Sequence, residues 1–341
     1  MNARPPASSL RPATGALMSV EEASVLLRSG GCYAVAAEDA LLRRLPRGLW
    51  IGGSIPYFVG QDGGRTTRDH VFVTKLPTAA GLEPQLRWYD AAELPRICTD
   101  APENGFSLVI IPAFGELHSQ FAREAPQYED MYLKPLLGWI AGIHLDDLGS
   151  RSPVVVHGAT GEVDGARALV MHVPLAPAQV ARLDIVNLFE QGDGDRIRFP
   201  ESGFHARDCL VNGRLANLAD YLKAQSIDTR LPLVADYSGA MINVSFKGVD
   251  EADRRVDFYA PVFDDTEYRL ARPVADYGAA LAAALPHDAV HTAWSCNCIL
   301  NYMYSELEGK RTGPITGPMT FGEIAYQLLN QTMVVLSIDE A

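Results

Sequence analysis

Eight consecutive residues, FSLVIIPA (106–113), carry almost no polar side chain. An unbroken apolar run of that length reads as a strand covered on both faces, not as a half-solvated one. A strand of that kind needs a layer above and a layer below it, which restricts the chain to layered folds. The neighbouring segments fit such a fold. CYAVAA (32–37), GLWIGGSIPYFV (48–59) and HVFVTKL (70–76) read as strands, the second with a glycine break inside it. SVEEASVLLRSGG, from Ser19, reads as a helix with a serine cap, two acids in its first turn and a Gly30-Gly31 stop, and EDALLRRLP (38–46) as a second helix. Alternation of strands and helices predicts a mixed α/β fold.

Further along, residues 118–143 show helical spacing interrupted by Pro126 and Pro135, which predicts two or three short helices. Residues 153–175 and 183–201 read as strand pairs, the second turning at GDGD. LANLADYLKAQ (215–225) and DYGAALAAALP (276–286) read as helices. Residues 231–247 and 255–263 alternate like paired strands, and TAWSCNCILN (292–301) and NQTMVVLSI (330–338) read as strands. The first 18 residues, rich in Pro, Ala, Ser and Arg, read as a disordered lead-in. Two similar halves are expected, 19–190 and 191–341, each a mixed sheet flanked by helices.

The formal net charge of −13 repels phosphate backbones and anionic lipid, so nucleic acid and membrane surfaces are not expected partners. The N-terminus has no continuous apolar region of a secretory signal, and the longest apolar stretch, LLGWIAGI (136–143), is far shorter than the roughly 20 residues that span a bilayer. A cytoplasmic protein is expected. Its five cysteines, an odd number, read as reduced thiols.

The most conspicuous chemistry is Cys296 and Cys298, one residue apart behind Trp294. In a strand the two thiols share a face with Thr292 and Trp294, while Ser295 and Asn297 face the other way. The thiol face is the apolar one, so the cysteines read first as small buried hydrophobes. A metal site is not expected, because no CxxC or His-x-His partner occurs elsewhere. A nucleophilic Cys296 needs a nearby histidine or cation; His291 falls on the opposite face, and His205 or His157 approach only through the fold.

Gly52-Gly53-Ser54 offers a backbone nest for a carboxylate with a hydroxyl donor beside it, or else a tight crossing where only glycine fits. In FGEI, Glu323 stands between apolar neighbours and offers a seat for an ammonium group, or else is an exposed loop acid. Asp236, Tyr237 and Ser238 before Gly239 fit a pocket rim or a hairpin bulge. Trp294, Tyr302, Tyr304 and Phe321 read as core before pocket wall.

The closing stretch, GPMTFGEIAYQLLNQTMVVLSI, preceded by WSCNC, resembles the C-terminal module of the FIST family, a bacterial sensory domain. The resemblance is carried by Ser295-Cys296, Gly322-Glu323-Ile324 and Asn330-Gln331-Thr332, with WIGGS (50–54) similar to the glycine-serine turn of the family's N-terminal module. Asn297-Cys298-Ile299 stand where the family's cysteine strand usually runs on to a Gly-Arg pair. The resemblance implies a small-ligand-binding sensory protein, for amino acids or related carboxylates, acting through a signalling partner protein because 341 residues leave no room for an output domain. The expected ligand site comprises Gly52, Gly53, Ser54, Ser295, Cys296, Gly322 and Glu323, with no cofactor, no metal and no catalytic residue. The alternative is a hydrolase or transferase using Cys296.

Overall fold

The apolar run of residues 106–113 forms the strand Gly105–Pro112, buried at every position, in a six-stranded sheet. It runs parallel to Leu136–Ala141 and antiparallel to Ala168–Pro174. The fold is known from a computed structural model that describes residues 15–237, 240–285 and 292–340.

Alternation along Gly105–Pro112 explains why the run is apolar throughout. Leu108 and Ile110 face a second six-stranded sheet, packing with its Ala34, Ile51 and Phe72 in one core cluster. Val109 and Ile111 face the other way, onto Leu117 and Phe121 of the helix Glu116–Glu124. The second sheet contains the parallel pair Cys32–Ala37 and Trp50–Ser54 and carries the helices Val20–Arg28 and Asp39–Leu42 on its outer face. Ser19 and Glu22 close a full capping box at the start of the first of these helices. The result is a layered mixed α/β body of mixed sheets flanked by few helices.

A third sheet continues the same core with Thr292–Cys298 between Thr332–Glu340, antiparallel, and Gly317–Thr320, parallel. Between these parts the chain leaves the body to form a smaller module. There the helix Leu218–Ala224 and two sheets surround a separate core of Ile197, Phe199, Cys209, Leu218, Phe258 and Tyr268.

Three readings of the sequence need correction. The sheets do not divide at residue 190: Glu323–Ala325 pairs with Leu136–Ala141, and Gly317–Thr320 pairs with Tyr57–Gly60. The C-terminal stretch therefore completes sheets begun in the first half, and the module is an insertion. Second, LLGWIA (136–141) is a buried strand, not the last of several helices. A segment with no polar face has no solvent side to offer as a surface helix. Third, the lead-in reading ends early. Gly15–Met18 forms a strand against Val71–Leu76, and residues 1–14 lie outside the described residues. No described helix is long and apolar enough to cross a membrane.

Candidate functional site

WIGGS lies in the strand Trp50–Ser54, where Gly52 and Gly53 pair with Val156 and Val155 on one side and with Val35 and Ala36 on the other. Their backbone groups belong to the sheet and do not converge on an anion. A Cβ at Gly53 would stand 2.7 Å from Ile110 and 3.0 Å from the Trp139 indole nitrogen, and one at Gly52 2.8 Å from the Trp50 ring. Glycine is required here for close packing. The Ser54 hydroxyl donates to the Gly142 carbonyl at 2.8 Å and accepts from the Val154 N–H at 2.9 Å, so it ties three segments together. Gly322 is packed in the same way: a Cβ there would stand 2.8 Å from Leu328 and 3.0 Å from Ile140. Ser295 donates to the Thr316 carbonyl at 2.9 Å.

Trp294, Cys296 and Cys298 face the main core, and both cysteines are 1% exposed. The Cys296 thiol lies 3.5 Å from the Gly138 carbonyl oxygen. Burial pushes both thiols well above their ordinary value, with the neighbouring Glu323 acting in the same direction. Among the described residues, the side chains that act most on Cys296 are Glu323, Thr320 and Cys298, none of them a histidine or a cation. His291 lies outside the described residues, as do Ser238 and Gly239 of the suggested rim. Among the described residues no group of three or more His, Cys, Asp or Glu is placed to hold a metal ion.

All five cysteines are buried free thiols. Native protein is expected to resist iodoacetamide at neutral pH over the time in which a free thiol reacts fully, and to react at all five positions in urea. Rapid stoichiometric labelling of native Cys296, read by mass spectrometry, would return the nucleophile reading to consideration.

Glu323 is fully buried. One carboxyl oxygen accepts from the Thr332 N–H at 3.2 Å and the Thr332 hydroxyl at 2.9 Å, and the Thr320 hydroxyl lies 3.3 Å from the other. The Cys298 thiol is a further partner. Burial raises this carboxyl to about 8 against the lowering effect of those hydrogen bonds, so the neutral acid predominates at pH 7. Such a group offers no charge to an ammonium ligand. The space between Gly53 and Cys296 is also filled: Trp139 packs on Gly53 and stacks on Trp294 with ring centroids 5.7 Å apart. The seven residues singled out in the sequence thus fall in the interior and do not enclose a ligand site.

A cleft of about 600 Å³ opens elsewhere, between the layered body and the inserted module. Phe114, Leu145, Leu148 and Phe321 line it from the body, with Ile299, Leu300, Met303 and Tyr304 from the short helix after the cysteine strand. The module contributes Phe204, His205, Lys247 and Asp257 through Tyr259. Two β-bulges aim its side chains. The register shifts between Gly203 and His205, where the facing strand carries the extra residues between Asp257 and Val262, and again between Phe246 and Gly248, leaving Lys247 as the extra residue.

On the body side, Phe114 occupies the left-handed region with φ 71°, unusual for a bulky residue, and is 53% exposed at the cleft wall. Its ring meets Phe321 edge-on at 5.8 Å, and the Lys247 ammonium lies 5.9 Å from its centroid. Its N–H donates to His118 Nδ1 at 3.4 Å, which assigns the proton of the neutral ring to Nε2. His118 Nε2 is buried with no hydrogen-bond partner among the described residues. Burial, with Lys247 nearby, lowers this imidazole to about 4, so it is neutral at pH 7.

The sequence reading reached only part of this cleft. The sequence marks Tyr304 and Phe321 as core or pocket wall, and His205 as a residue that only the fold can bring in. Phe114, His118 and Lys247 carry no motif, because a bulge and a left-handed turn leave no spacing signal. No curated protein matches the sequence. A family profile does, over residues 18–339, and the chain belongs to that family, DUF6976, a family of unknown function.

Proposed function

We propose that this protein binds a small, largely apolar molecule in the cleft between body and module, and that a partner protein recognises the occupied form in a sensory role. The observation that carries the proposal is the cleft itself: about 600 Å³ of mainly apolar wall, drawn from both parts, with a buried unpaired donor at His118. Concave apolar sites with a few convergent polar groups are the usual form of small-molecule sites. The FIST-like closing stretch supports the sensory part of the reading.

A thermal-shift screen of apolar acids, amides and amines tests it. A ligand present at about 100 times its dissociation constant stabilises by about 2.7 kcal/mol. Met303→Arg, at a 44% exposed position on the cleft wall, is expected to abolish any shift while leaving the unliganded melting temperature within about 2 °C, as surface substitutions usually do. A screen without shifts, or shifts unchanged in Met303→Arg, would remove the support for a binding cleft.

A further inference from the structure

We infer that the cleft is selective for an apolar carboxylate, with Lys247 and the His118 Nε2–H holding the carboxylate and the Phe114–Phe321 wall covering the hydrocarbon body. This rests on the cleft being a binding site. The sign of the ligand's polar end follows from what the cleft lacks. His118 Nδ1 is already occupied by the Phe114 N–H, so the unpaired nitrogen is a donor and calls for an acceptor.

Lys247 adds a second donor, this one charged. It makes no ion pair among the described residues, in a chain whose formal net charge is −13. Its position over the Phe114 ring holds the ammonium near the His118 side of the cleft. The acid in the cleft lining, Asp257, is engaged by Arg255, with its two oxygens 3.0 and 3.3 Å from guanidinium nitrogens. It therefore does not cancel Lys247. Two donors suit the two oxygens of a carboxylate, whereas a phosphate dianion asks for more. Apart from Ser119, His205 and the hydroxyls of Tyr259 and Tyr304, the remaining wall is mainly apolar, and a hydrocarbon body gains by leaving water for it.

Calorimetric titration with 4-phenylbutyrate, 4-phenylbutanamide and 4-phenylbutylamine separates the possibilities. The acid is expected to bind at least about tenfold more tightly than the amide, since hydrogen bonds to charged groups exceed neutral ones by that order. Lys247→Met and His118→Phe are each expected to weaken the acid about tenfold while changing the amide by no more than about twofold. His118→Gln, which keeps an N–H donor, is expected to recover part of the loss.

Equal affinity for acid and amide, both lost in Met303→Arg, would overturn the carboxylate inference and leave the binding cleft intact. Preference for the amine would also overturn it and make Asp257 the anchor. No binding by any of the three, with the wider screen flat as well, would end both readings.

Discussion

Gly138→Ala is expected to yield no soluble, cooperatively folded protein. Gly138 sits in the buried strand Leu136–Ala141 with φ 154°, directly opposite Val109 of the parallel neighbour. A Cβ there would overlap the Val109 carbonyl oxygen and stand 2.7 Å from its carbonyl carbon and 2.9 Å from its nitrogen. All three atoms are main chain, so no rotamer change relieves the clash. Relief requires separating two central strands, a cost comparable with the about 5–15 kcal/mol that holds a typical domain together. Gly115→Ala is the control, because nothing lies within 4 Å of its Cβ position. Soluble Gly138→Ala protein with a wild-type thermal melt by circular dichroism would show that the strands part more easily than this geometry allows.

The second large effect belongs to Glu323 and depends on pH. Its folded value of about 8 lies above the ordinary 4.5, so the native state holds this proton more tightly than the unfolded chain does. The associated stability is fully present below pH 4.5 and is lost as pH rises through about 8. At about 1.4 kcal/mol per unit, the loss is on the order of 5 kcal/mol between those limits.

Glu323→Gln keeps an acceptor for the Thr332 N–H and hydroxyl and places an amide donor toward the Thr320 hydroxyl. It is expected to match wild type near pH 5 and to exceed it by several kcal/mol at pH 9 in urea melts, because an amide has no proton to lose. Glu323→Ala leaves the Thr332 N–H unpaired beside a cavity and is expected to cost about 3–5 kcal/mol at pH 5. Parallel stability curves for wild type and Glu323→Gln from pH 5 to 9 would contradict a buried titrating carboxyl.

Local signals in this chain were readable and long-range ones were not. The Ser19–Glu22 cap and the doubly buried FSLVIIPA strand are set by neighbours within a few residues. LLGWIA has a similar apolar composition to that strand, yet it lies among helix-like spacing and prolines, and its partner Glu323–Ala325 comes from the far end of the chain. Glu323 is visibly out of place among apolar residues in FGEI. What settles its state is Thr320 and Thr332, which arrive by folding. The cleft depends on two bulges and one left-handed phenylalanine, and none of these leaves a periodicity to read.

The late arrival of Glu323–Ala325 also bears on biosynthesis. Until those residues emerge from the ribosome, Leu136–Ala141, whose six residues are all buried in the finished fold, forms an open apolar margin of the central sheet. Unpaired margins of this kind recruit other chains. The inserted module is translated during that interval, and its separate core allows it to fold without waiting for the body. The nascent chain is thus most vulnerable to misassembly while the module is being made, and that exposure ends when Glu323–Ala325 docks.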